Sequence, residues 1–264
     1  LRLVGSEMCI RDRADTNPDN PEHWLKKEYI DKPNENVKAF HFELDDNTFL
    51  SERYRENIKA ATPSGMFYDR DIKGLWVSAD GVVYQDFDAS KHYINSKDLP
   101  SLSTFYCGVD WGYEHWGSIV VFGETDDGTA YLIEEHASQF EEIDYWVEVA
   151  KGIQERYGQK VPFWCDSARP EHVARFQRER INAFNADKAR LSGVESVAKR
   201  FKTNKLFICR DKVEKFKTEI YQYIWDKKKG EPIKQFDDVL DAVRYAIYSQ
   251  NKPKAKLKSF KGGF

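Results

Sequence analysis

The sequence predicts an α/β fold: a mixed β-sheet with helices packed on its faces. Two short apolar stretches flank Asp80-Gly81, and two more flank Asp126-Asp127-Gly128. Both patterns read as antiparallel hairpins. After Phe105, apolar runs of strand length alternate with segments of helical period. A sheet that starts antiparallel and continues by strand–helix alternation is mixed and needs helices to cover it.

Each element has its own signal. Asn17-Pro18 and Asn20-Pro21 make the stretch from Ala14 to Trp24 turn-rich. Ser51 is placed to cap a helix running to Ala61. Trp76-Val77 and Val82-Val83-Tyr84 are the arms of the first predicted hairpin, and residues 86–103 are polar and irregular, as a linker would be. Phe105–Asp110, Ser118–Phe122 and Ala130–Glu134 read as strands. Over Glu141–Tyr157 the apolar residues Ile143, Trp146, Val147, Ala150 and Ile153 trace one helical face. Val161–Cys165 reads as a buried strand and Pro170–Ile181 as a helix with proline in its first turn. Val194–Phe201, Val213–Trp225 and Asp237–Gln250 read as helices, with a short strand at Leu206–Cys209. The tail from Lys252 to Phe264 is basic, and Leu1–Arg13 (LRLVGSEMCIRDR) has no periodicity and reads as a translated cloning or sequencing scar.

Composition narrows the classes. The chain has 264 residues, with 41% hydrophobic, 32% charged and 14% aromatic residues, which excludes a disordered chain and supports a sizeable core. No apolar run is long enough to cross a bilayer. The net charge of −3 decides nothing about nucleic acid by itself. Cys9, Cys107, Cys165 and Cys209 form no CxxC pair, so zinc of the usual spacing is excluded; the last three lie in apolar runs and read as buried free thiols of a reducing compartment.

Chemistry concentrates in acids at the ends of elements. Asp110 ends the run Cys107-Gly108-Val109, and Asp166 ends Phe163-Trp164-Cys165. Functional groups gather beyond strand ends in open α/β sheets, although a solvated terminal acid has the same look. Asp237, Asp238 and Asp241 fall within roughly a third of a helix circumference. Asp237 also suits an N-cap, and acids in a first turn also suit the helix dipole. Taken together, three chain segments supply carboxylates without accompanying His or Cys clusters. All-oxygen ligand sets suit Mg²⁺ or Mn²⁺, and two such ions about 4 Å apart stabilise the attacking and leaving oxygens of a phosphodiester. A positive field for DNA is available from the basic residues between Lys188 and Lys217, among them Lys199, Arg200, Lys202 and Lys205, which also read as a plain solvated face.

These residues resemble a known family. Gly108-Val109-Asp110-Trp111-Gly112-Tyr113, Asp166-Ser167-Ala168 with Pro170, and Asp237-Asp238 with Asp241-Ala242-Val243-Arg244-Tyr245 resemble the nuclease domain of phage terminase large subunits. Upstream, Thr16-Asn17-Pro18, Pro21-Glu22-His23-Trp24, Asp46-Asn47 with Leu50, and Gly74-Leu75-Trp76 are similar to the end of that family's ATPase domain and its connector. The resemblance implies a ribonuclease H-like fold preceded by an ATPase-domain remnant. It divides the chain into a scar (1–13), the remnant and connector (14–85), a linker (86–103), the nuclease domain (104–250) and a basic tail (251–264).

By position the resemblance makes Asp110, Asp166, Asp238 and Asp241 catalytic metal ligands for two Mg²⁺ or Mn²⁺ ions. Many relatives carry histidine where Asp238 stands, and an acid is common where Arg169 stands, so this chain departs from the pattern twice. The resemblance implies double-stranded DNA, a terminase small subunit, a portal protein and a ring of copies as partners, in the host cytoplasm. No GxxxxGK[ST] phosphate loop occurs, so ATP hydrolysis by this chain alone is not expected. The alternatives are a catalytically silent module that binds DNA or portal, and another ribonuclease H-like enzyme such as a resolvase or transposase.

Overall fold

A computed structural model describes residues 15–251 other than 20, 22, 33 and 34. Residues 1–13, read above as a scar, most of the basic tail and Glu22 lie outside the described residues. The strands are β1 (Tyr93–Ile94), β2 (Thr104–Asp110), β3 (Gly117–Glu124), β4 (Ala130–Ser138), β5 (Phe163–Cys165), β6 (Ala183–Asn185), β7 (Leu206–Cys209), β8 (Trp225–Asp226) and β9 (Glu231–Pro232). The helices are α1 (Glu52–Ala61), α2 (Met66–Asp71), α3 (Ala89–His92), α4 (Ile143–Tyr157), α5 (Pro170–Arg178), α6 (Arg190–Lys202), α7 (Lys215–Gln222) and α8 (Asp238–Gln250).

β1 to β7 form one sheet in the order β1-β7-β4-β3-β2-β5-β6. The turn at Asp126-Asp127-Gly128 joins antiparallel β3 and β4, and β2 is antiparallel to β3. The remaining pairings are parallel, so six strands share one direction and β3 opposes them. Parallel neighbours need crossovers, which α4, α5 and α6 supply. This is the mixed, helix-covered sheet expected from the pattern.

Alternation along the strands sorts the core into two layers. Tyr106, Val120, Phe122 and Leu132 pack with α6, α7 and α8 on one face. Cys107, Val109, Ile119, Val121 and Phe163 pack with Trp146 and Ile153 of α4 and Phe176 of α5 on the other. Cys107, Cys165 and Cys209 are buried free thiols, as expected. The α8 backbone lies directly on β2: a Cβ at Gly108 would stand 1.9 Å from the Ala242 carbonyl oxygen. Only glycine permits that approach.

Several segments differ from their sequence reading. The arms around Asp80-Gly81 turn, with Gly81 at φ 75°, but do not pair with each other. Val83 N–H donates to the Tyr223 carbonyl and Trp225 N–H to that of Gly81, so the arm joins a distant segment that offered a better partner. Met66, Phe67, Val83 and Tyr84 share the core of α6–α8. The polar stretch 86–103 is ordered by burial of His92, by its contact with the Phe201 carbonyl, and by pairing of β1 with β7. Residues 213–225 hold a shorter helix, because Trp225 turns into the β8–β9 hairpin. β6 gave no signal because only Ala183 of its three residues is buried. Ser51 caps α1 as predicted, accepting the Tyr54 N–H.

Gly108→Ala is expected to destabilise the fold by on the order of 3 kcal/mol, since α8 cannot retreat from β2 without opening the core. Urea unfolding monitored by tryptophan fluorescence measures it; a change below about 1 kcal/mol would show that α8 is loosely seated.

Candidate active site

The same alternation that builds the core aims Asp110. Tyr106 and Gly108 face α8, so the next residue of that parity, Asp110, also faces α8, at the end of its strand. Phe163 and Cys165 face the other layer, so Asp166 emerges on the α8 side of the adjacent strand. Its backbone is fixed at both ends: Asp166 N–H donates to the Val109 carbonyl at 2.9 Å, and Trp111 Nε1–H donates to the Asp166 carbonyl at 2.9 Å. Ser118, opposite Asp110 in the β2–β3 ladder, donates its hydroxyl to the Asp238 carbonyl at 2.9 Å. This ties the first turn of α8 to the strand edge beside Asp110.

The acids also act on one another electrostatically. Desolvation pushes the Asp110 carboxyl well above the ordinary carboxylate range, and Asp241, Asp166, Asp238 and Asp237, in that order, add to the shift. Burial, then Asp241 and Asp238, push Asp237 up to about 6. Cations surround the group. Lys188 Nζ lies 2.5 Å from Asp166 Oδ1, Lys215 Nζ lies 3.2 Å from Asp238 Oδ2, and Arg244 Nη2 lies 2.9 Å from Asp241 Oδ2. Arg190 is 3.8 Å from Asp237. Among the described residues no three His, Cys, Asp or Glu groups stand ready to grip one ion. The donor set nevertheless suits a hard divalent cation: it is all carboxylate, and Asp110 is crowded by four like charges that a cation would relieve.

All four predicted ligands, Asp110, Asp166, Asp238 and Asp241, thus come to the same end of the sheet, from β2, β5 and the first turn of α8. The four predicted DNA contacts do not join them. Lys205 precedes β7 and pairs with Asp127 at 2.7 Å, and Arg200 donates to the Gly128 carbonyl and the Asn251 side chain. Lys202 holds Ser64 and Asp86, while Lys199 is exposed on the same helix. Lys205 and Arg200 lie at the Thr104–Glu124 end of the sheet, about 20 Å from Asp110 at 3.3 Å per residue. Asp237 occupies the N-cap position, but its side chain makes no capping bond. Sequence reasoning missed Ser118, Arg244 and Glu219. Arg244 follows Asp241 by three residues, a spacing that brings helical side chains together. Glu219 interrupts the apolar stripe of Phe216, Ile220 and Tyr223, a buried-face signal that could have been read.

No protein-family model and no curated protein matches the chain. Solved structures do. The large terminase of a thermophilic bacteriophage, in complex with ATP-gamma-S, is 28% identical with a TM-score of 0.77, over 87% of this chain and 60% of that one. This chain therefore spans about 60% of the length of that relative. The nuclease domain of the P22 large terminase matches at 18% identity and a TM-score of 0.55, over 64% of this chain and 92% of that domain. The nuclease domain of the large terminase of bacteriophage SPP1, with bound Mn, matches at 15% and 0.51, over 64% and 99%. The chain resembles phage large terminases, and its sheet has the ribonuclease H-like fold of their nuclease domains.

The raised Asp110 and Asp237 carboxyls set a sign for pH dependence. Each binds its proton more tightly folded than unfolded, so stability is highest below pH about 4, where both states are protonated, and is lost as pH rises toward the folded value. For Asp237 that loss lies between 3.8 and about 6. Asp110→Asn is therefore expected to raise the melting temperature of the metal-free protein by a few degrees at pH about 8 and to change it little at pH about 3.5. A lower melting temperature for this variant at pH about 8 would contradict the crowding of Asp110.

Proposed function

We propose that this chain carries the endonuclease of a viral DNA-packaging large terminase and cuts double-stranded DNA by metal-dependent phosphodiester hydrolysis. The observation that carries the reading is the gathering of Asp110, Asp166, Asp238 and Asp241, from three separate elements, at the ends of adjacent strands of a sheet with the terminase nuclease fold. A module that only binds DNA gains nothing from like charges collected where a phosphate must approach.

In this reading Asp110 and Asp166 hold divalent ions from the strand ends, and Asp238 and Asp241 complete the set from α8. Two bound Mg²⁺ or Mn²⁺ ions would supply an activated water and neutralise the leaving oxygen. The protein does the rest. Ser118 and Trp111 fix the backbones that carry Asp238 and Asp166. Lys188, with its ammonium already at the site, is the side chain placed to meet a DNA phosphate at the cut. Arg200 and Lys205 stand a strand length away, so any contact they make belongs to duplex away from the cut.

The upstream part of the chain fits the same reading. The ATP-gamma-S-bound terminase matches over more of this chain than either isolated nuclease domain does, which supports residues 14–85 as terminase sequence upstream of the nuclease at 104–250, with Met66, Phe67, Val83 and Tyr84 packed into the core of α6–α8 and β1 joining its sheet. A terminase small subunit, a portal protein and further copies on the portal are the partners this assigns. Among the described residues no helix is long and apolar enough to cross a membrane, in line with work on DNA in the host cytoplasm.

The test is nicking of supercoiled plasmid with Mn²⁺, Mg²⁺ or chelator. The wild-type chain is expected to cut with metal and not with chelator. Asp110→Ala is expected to abolish cutting while DNA affinity stays level or rises slightly, since a negative charge leaves the DNA-facing edge. Cutting by Asp110→Ala at the wild-type rate would overturn the assignment, and metal-independent DNA binding without cutting by the wild type would favour the silent binding module.

A further inference from the structure

The first turn of α8 carries Asp238 and Asp241, yet nothing in that turn caps it. Asp237 sits at the N-cap position with its side chain turned elsewhere. The amides it would normally satisfy are those of the second and third helical residues. Both are satisfied from another element: Glu219 of α7 accepts Val239 N–H at 2.9 Å and Leu240 N–H at 3.1 Å through one carboxylate oxygen. Its other oxygen lies 2.8 Å from Lys215 Nζ, and Lys215 in turn reaches Asp238. Glu219 is 1% exposed. A glutamate that deep is costly unless a specific set of donors holds it.

The helix that carries Glu219 is held in the same way. Glu135 of β4 accepts the N–H groups of Glu214, Lys215 and Phe216 at 3.1, 2.7 and 2.9 Å, which caps α7 from the sheet. The two carboxylates therefore form a chain of borrowed caps, from β4 to α7 and from α7 to α8. Borrowing has a consequence for chemistry. A capping aspartate points its carboxylate back into its own helix. With Glu219 in that role, Asp237 is left to Arg190 and Asp238 to Lys215, so neither carboxylate is taken up by the helix's own amides.

From this we infer that Glu219 is a positioning residue of the acid site: by capping α8 from α7 it sets where Asp238 and Asp241 stand relative to Asp110. The inference rests on the metal reading above only for its affinity readout.

Two measurements on the folded chain decide it. The first is Mn²⁺ affinity by titration calorimetry for wild type, Glu219→Ala, Glu219→Gln and Ile153→Val. Ile153 lies in the opposite core layer, so its variant reports what lost stability alone does. Glu219→Ala is expected to weaken Mn²⁺ about tenfold to a hundredfold, the usual effect of removing a group that orients a metal ligand. Glu219→Gln, which keeps an acceptor oxygen for the amides, is expected to stay within a few-fold of wild type, as is Ile153→Val. The second measurement is hydrogen exchange of the metal-free protein. In Glu219→Ala the Val239 and Leu240 amides are expected to exchange about tenfold faster or more while Ala246, two turns on, is unchanged. Unchanged protection at Val239 and Leu240 would overturn the inference, and so would Mn²⁺ affinity in Glu219→Ala equal to that of Ile153→Val. Failure of the wild type to take up Mn²⁺ would instead overturn the metal reading and leave the exchange result to decide the cap.

Discussion

Mutual repulsion among carboxylates is the constraint around which this protein is arranged. Asp110, Asp166, Asp237, Asp238 and Asp241 approach from β2, β5 and α8, and none would choose that company in isolation. A fold can keep such a group only by holding the backbones that carry it with interactions that do not depend on the acids themselves. Here the strand ladder sets Asp110 and Asp166, and the seating of α8 on glycine-bearing β2 sets the rest. The cations Lys188, Lys215 and Arg244 then offset part of the charge.

The helix contact and the acid cluster are two ends of one device. Because Gly108 lets the Ala242 backbone reach β2, the first turn of α8 arrives level with the end of that strand. Ser118 fastens it there, one register step across the ladder from Asp110. Arg244, 3% exposed, pairs with Asp241 from within the helix, while its stem presses on Gly193 of α6. Packing, hydrogen bonding and charge pairing thus converge on one turn.

Much of this was legible without the structure. The sheet and most helices follow from periodicity, and Asp110, Asp166, Asp238 and Asp241 stood out only taken together, as carboxylates from three segments without a His or Cys cluster. The basic residues misled as to place. Lys199, Arg200, Lys202 and Lys205 look like one positive stripe in the chain, but three of them are occupied by Asp127, Gly128, Asn251, Ser64 and Asp86, away from the acids. Lys188 and Lys215 differ in nothing visible in sequence, yet they stand on the acids. Partners far apart in the chain, such as Asp166 with Lys188 or Asp238 with Lys215, leave no local mark.

By itself the sequence determined the class of fold and which acids end its elements, because side-chain alternation and turn chemistry are local properties of the chain. Only the tertiary structure decided which cations neutralise which acids, that the arm at Val83 pairs with Tyr223, and that Glu219 rather than Asp237 caps α8. Each of those is a choice among several chemically competent partners. That choice rests on which groups the packed layers bring within about 3 Å, and no property of either residue alone encodes it.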